Sequence, residues 1–109
     1  MEFNEYQKLA RKTAIYANAG KNFIYPVLGL CGETGEVAEK IKRLVRAGRN
    51  LASEEELDAI SKELGDVLWY LANLAWELNL DFDKIASQNI AKLKSRDERG
   101  VLHGSGDER

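Results

Sequence analysis

Apolar residues recur every three or four positions along almost the whole chain, and a single proline, Pro26, interrupts them. That period is the one an α-helix imposes on the face it turns toward a core. No stretch alternates with period two, as a half-buried strand would. Phe3, Tyr6, Ala10, Thr13 and Ala17 predict a first helix over roughly Asn4 to Ala19, ended by Ala19-Gly20. Lys21 to Tyr25 form a connector, and Pro26 suits the first turn of a second helix, where its missing N–H is no loss. Val27, Leu30, Cys31, Ala38, Ile41, Leu44 and Val45 carry that helix to Gly48, which stops it. Ser53 with Glu56 three residues on is a capping-box pattern that starts a third helix. Leu57, Ile60, Leu64, Val67, Leu71, Leu74 and Leu78 extend it to about Asn79. Asp81 or Asp83 caps a fourth helix, with Ile85, Ala86, Ile90 and Leu93, reaching about Arg99. The expected fold is an all-α four-helix bundle over residues 1–99, followed by a mobile, glycine-bearing tail over 100–109.

A chain of 109 residues has room for one core. Its 44% hydrophobic and 31% charged residues describe an ordinary soluble domain. A net charge of -2 argues against a general nucleic-acid binder, which would show a basic field. One cysteine, Cys31, excludes an intrachain disulfide and a cysteine-built zinc cage. The longest uncharged runs, Asn22 to Gly32 and Val67 to Trp76, fall short of the roughly 18 apolar residues a membrane helix needs. The first residues show no basic-then-apolar pattern of a signal peptide, so the expected location is cytoplasmic, with no membrane partner.

The acids are placed less ordinarily. Glu33 and Glu36 lie three apart on the second helix, and Glu63 and Asp66 three apart on the third, so each pair presents two carboxylates on one face. Glu39 has Arg43 one turn away and Glu36 has Lys40, but Glu33 and Glu63 have no basic residue at those positions. At ~100° per residue, Leu64, Val67, Leu71, Leu74 and Leu78 fall within about 40° of Ile60. Glu63 falls about 60° to one side, with Asp66 and Tyr70 slightly further round the same edge. Single acids are common on a wet helix edge. Two pairs without local counter-ions repel each other unless something positive joins them, and a hard divalent cation prefers such oxygen ligands. Periodicity leads to a metal–carboxylate site in a helical bundle. A non-catalytic interaction module with a charged face is the alternative.

The segment Gly29-Leu30-Cys31-Gly32-Glu33-Thr34-Gly35-Glu36-Val37-Ala38-Glu39, followed by Glu63-Leu64-Gly65-Asp66-Val67-Leu68-Trp69-Tyr70, resembles the MazG-like nucleoside triphosphate pyrophosphohydrolases. These share an all-α superfamily with dimeric dUTPases and dCTP pyrophosphatases. The superfamily's signature is E-x-x-E, a spacer of a dozen to under thirty residues, then E-x-x-D. Here 26 residues separate Glu36 from Glu63, and the resemblance spans about residues 4 to 99. It implies hydrolysis of a (deoxy)nucleoside triphosphate to the monophosphate and pyrophosphate, in a homodimer or homotetramer. A dedicated dUTPase or dCTPase fits the same motifs. Glu33, Glu36, Glu63 and Asp66 match the family's catalytic ligands for Mg²⁺, with Mn²⁺ as a substitute. Asn89, Lys92 and Arg96 share a face of the fourth helix and match an Asn-x-x-Lys stretch with a following Arg, which implies phosphate binding. Tyr70 and Asn73, on the acid edge of helix three, are the expected nucleotide contacts.

The remaining features read more plainly. His103, the only histidine, sits in the tail, which argues against a ferritin-like centre built from Glu-x-x-His. Cys31 is expected as a small buried hydrophobe. Gly29, Gly32 and Gly35 cost about 1 kcal/mol each in a helix, and close helix packing is the expected reason. Trp69, Ala72 and Trp76 point away from the Ile60 stripe, so helix three is apolar on two faces. The tryptophan face is expected to meet a partner subunit.

Overall fold

Short-range signals set the helix ends. A computed structural model describes residues 1–109, with α1 over Phe3–Arg11, α2 over Ile24–Arg46, α3 over Glu54–Glu77 and α4 over Phe82–Glu98. There is no strand, and the all-α, four-helix class is as expected. Pro26 lies in the first turn of α2, and Gly48, at φ +70°, follows its last turn. The capping box is complete: the Ser53 hydroxyl accepts from the Glu56 backbone N–H, and the Glu56 carboxylate accepts from that of Ser53. Asp81 caps α4 by accepting from the Lys84 N–H at 3.0 Å.

α2 and α3 form the main pair. Lys40 meets Glu63, and nearer the start of α2 Gly29 meets Tyr70, so the two helices run antiparallel. α1 lies along α3, where Gln7 donates to the Ala72 carbonyl at 3.0 Å. Ala10, Ala72, Ala75 and Phe82 form a small core, flanked by Tyr6, Leu68 and Trp69. α4 touches only α1 and α3 and does not reach α2. Asn4 fastens its start, exchanging bonds with Asp83 and donating to Asp81.

Helix one ends eight residues earlier than Ala19. The cause is Glu77, whose side chain is fully buried at the end of α3. Its carboxylate accepts from the Tyr16 hydroxyl at 2.5 Å, the Gly20 N–H at 2.7 Å, the Asn22 N–H at 3.3 Å and the Arg11 guanidinium at 3.4 Å. Wrapping residues 11–22 around one anion satisfies more polar groups than a further helical turn would. Thr13 adds to the break by donating to the Ala10 carbonyl while accepting the Trp69 indole N–H.

Three other expectations are corrected. The tryptophan face of α3 is covered in part from within the chain: Ala72 is buried under α1, and Trp69 packs edge-on to Tyr16 at 6.3 Å. Trp76 is half-exposed, with the Arg11 guanidinium 5.3 Å from its ring centre. The stripe expected to be core is instead split, because Leu57, Leu64, Leu71 and Leu78 stay exposed. Cys31 is exposed as well. The tail, residues 100–109, lies against α4 through Asp107.

One chain thus leaves much uncovered. Nine of 109 residues are buried, and the surface is 8003 Å², against about 6100 Å² for a compact monomer of this mass. The radius of gyration is 16.8 Å, against about 13 Å. No helix is long and apolar enough to cross a membrane.

Candidate metal centre

The antiparallel α2–α3 pair brings the two acidic motifs face to face. Glu33 from α2 and Glu63 and Asp66 from α3 each offer a carboxylate oxygen, and the three oxygens lie within 4.8 Å of one another. Glu36, one turn beyond Glu33, stands outside this convergence and is exposed. Lys40 does not serve Glu36, as its spacing suggested. Its ammonium lies 3.2 Å from Glu63 across the helix pair.

Electrostatics mark the cluster. Burial raises the Glu33 carboxyl above the usual range, and Asp66, Glu63 and Glu36 add repulsion that pushes the same way. A raised carboxyl binds its proton more tightly in the folded state than in the unfolded one. Its contribution to stability is therefore present below the ordinary glutamate value and lost as pH rises through the raised one. The melting temperature of metal-free protein is expected to fall across that interval, just above the ordinary glutamate range. A divalent ion, which needs the ionised form, is expected to reverse the fall. Thermal melts at stepped pH with and without Mg²⁺ check this, and a metal-free curve flat over the interval contradicts it.

Aromatic rings adjoin the acids. Tyr70 lies against Gly29 so closely that a methyl group there would overlap its ring, and this glycine meets the close-packing expectation. Gly32 and Gly35 do not, since an added methyl would meet nothing. The Tyr70 ring centre is 5.0 Å from that of Trp69 and 6.2 Å from that of Tyr25, which stacks on Tyr16 at 4.8 Å. Burial raises the Tyr70 hydroxyl, and Tyr25, Glu33 and Asp66 add to the rise. Tyr6 of α1 is raised by burial and by Asp66, and it lines an open groove of about 570 Å³ with Phe3, Leu68, Asp83 and Ala86. The periodic pattern assigned Tyr6 to packing and passed over Tyr16 and Tyr25. What marks them is placement in space: Tyr6 feels Asp66, and Tyr25 packs on Tyr70 with Tyr16 behind it.

Asn73 is placed differently from its expected role. It is fully buried, donates to the Trp69 carbonyl at 2.9 Å and accepts from Arg11 at 3.1 Å, so its amide has no exposed atom for a nucleotide. Asn89, Lys92 and Arg96 lie along α4, which makes no contact with α2 within one chain. Asn89 and Lys92 are exposed beside an open groove of about 270 Å³. Arg96 is buried and bonded to Asp107.

Three carboxylate oxygens on two rigid helices suit a hard divalent ion better than a proton network or a soft metal. Fold and site together define a helical protein with a carboxylate-rich centre between two antiparallel helices. Comparison of the sequence is more specific: residues 26–101 match the MazG nucleotide pyrophosphohydrolase domain, and the chain belongs to that family. It is 41% identical, over 114 aligned positions covering the full length of both chains, to the Gene 37 protein of Mycobacterium phage L5. No solved structure matches it.

Proposed function

We propose that this protein hydrolyses (deoxy)nucleoside triphosphates to the monophosphate and pyrophosphate with Mg²⁺, or Mn²⁺ in its place. The convergence of Glu33, Glu63 and Asp66 within 4.8 Å, in a chain of this family, is the observation that carries the reading. These three hold the ion, and Glu36 adds negative charge one turn away. A bound divalent ion neutralises phosphate oxygens and lowers the pKa of a coordinated water. Lys40 keeps Glu63 oriented between turnovers. Tyr70, with Tyr25 behind it, offers a flat apolar wall to the nucleoside, and the acids exclude unscreened anions from the cleft. Asn89, Lys92 and Arg96 bind phosphate oxygens, a task suited to one amide and two cations. Residues 1–99 supply all these groups, and the protein works in the cytoplasm without nucleic acid.

A panel of nucleoside triphosphates, assayed for pyrophosphate release with Mg²⁺ and with chelator, tests the reading. Release from none of them, or equal release in chelator, overturns it. Release from dUTP or dCTP alone favours a dedicated enzyme.

The active form is a homodimer or homotetramer. The surface in excess of a compact monomer is more than twice what one partner buries in a standard interface, and for two chains it falls in the range of obligate interfaces. Leu57, Leu64 and Leu71 of α3 and Leu78 just past its end fall seven residues apart, on one exposed stripe. Leu64→Glu is expected to shift sedimentation toward monomer or aggregate, because a charge buried in an apolar interface has no partner. An unchanged sedimentation profile removes this stripe from the interface.

A further inference from the structure

The buried cation of α4 already has an anion. Arg96 is 5% exposed, and one of its terminal nitrogens donates both to the Asp107 carboxylate at 3.0 Å and to the Asp107 carbonyl at 2.7 Å. The same carboxylate oxygen lies 3.1 Å from the Lys92 ammonium. Two cations sharing one oxygen is how basic side chains meet a phosphate. Asp107 itself is 79% exposed, so burial does not hold it there.

The loop that presents it is closed by its own bonds. The Arg109 guanidinium donates to the carbonyls of Val101 at 2.9 Å, Leu102 at 3.0 Å and Gly106 at 2.6 Å. Arg99 donates to the Arg109 carbonyl at 2.8 Å. Gly106, at φ +85°, supplies the left-handed turn that sets Asp107 against α4. A carboxylate tethered this way competes at a local concentration in the ~mM range, although each of its exposed ion pairs is weak.

We propose that residues 100–109 form an intramolecular competitor, in which the Asp107 carboxylate occupies on Lys92 and Arg96 the place of a substrate phosphate oxygen. This rests on reading those two side chains as phosphate ligands. A triphosphate, with many oxygens and its divalent ion, displaces the loop. Pyrophosphate and monophosphate, with fewer oxygens, displace it poorly, so the loop favours release of products. The device needs no change in the helices.

Calorimetric titration of the full-length protein with inorganic pyrophosphate in Mg²⁺ buffer tests it. Asp107→Asn and Asp107→Ala are expected to bind pyrophosphate about two- to fivefold more tightly than wild type, the range an exposed ion-pair contact supplies. Lys92→Ala is expected to bind it more weakly. Saturating pyrophosphate, which overcomes its weaker competition with the loop, should speed hydrogen exchange of the amides of residues 101–109. If Lys92→Ala weakens binding while both Asp107 variants bind as wild type or worse, Asp107 is not a competitor and the phosphate reading stands. If Lys92→Ala and Arg96→Ala both bind like wild type, the phosphate reading fails and the competitor fails with it.

Discussion

Glu63→Gln is expected to lower turnover by about a hundred- to a thousandfold while leaving the helices in place. Glutamine keeps the shape and one oxygen but removes the charge that faces Glu33, Asp66 and Lys40. Charge stabilisation by a bound divalent ion is worth several kcal/mol in a transition state, which sets the size of the loss. Glu33→Gln and Asp66→Asn should behave alike, since each contributes one of the three converging oxygens. Glu36→Gln should cost less, because its carboxylate lies outside the convergence. The same three severe variants should lose the rise in melting temperature that Mg²⁺ gives wild type through binding the native state. Wild-type turnover in Glu63→Gln removes the metal centre from the mechanism, and an intact Mg²⁺-dependent shift in all three removes it from the structure.

Glu77→Ala is expected to destabilise the fold by about 3 kcal/mol, the lower end for stripping one member from a buried ion pair. The Gly20 and Asn22 amides, the Tyr16 hydroxyl and the Arg11 guanidinium would each lose an acceptor. Arg11 keeps Asn73 and Tyr16 as partners, which limits the damage. A melting temperature lower by roughly 10–20 °C follows for a domain of this size. Burial raises the Glu77 carboxyl, but its four donors outweigh that and hold it below the usual carboxylate range. Its support is therefore complete above the ordinary glutamate value and is lost as pH falls through the depressed one. Tyr16, desolvated and bonded to Glu77, is pushed up to about 12. A Glu77→Ala melt within about 2 °C of wild type would remove the anion from its central place in the connector.

What the sequence revealed was local. The Ser53–Glu56 box, the Asp81 cap and the Gly48 stop each depend on residues a few positions apart, and all appear where expected. The acidic motifs were legible for the same reason, since i,i+3 spacing fixes a shared face before any packing is known. Longer range defeated the pattern. The bonds that end α1 at Arg11 join residues 55 to 66 positions apart, and a run of Ala, Asn and Tyr gives no sign of them. Lys40 had Glu36 within reach by spacing but pairs with Glu63 across the helix pair. Periodicity also found two apolar faces on α3, but it gave the Ile60 stripe to the core and the tryptophan face to a partner subunit. Which face α1 covers depends on the Thr13–Trp69 bond and the close fit of Ala10, Ala72 and Ala75.

The thin core has a consequence for how much of the protein must be made before it works. With nine buried residues, an isolated chain has little to set against the entropy lost on folding. If the chain assembles as proposed, association becomes part of folding, and abundance itself acts as a stabiliser. For a two-chain assembly, each tenfold dilution removes about 1.4 kcal/mol. Newly made chains at low copy number would thus be the most exposed to proteolysis. In such an assembly function per molecule would climb as copies accumulate, and the protein would respond to its own dose more steeply than in proportion.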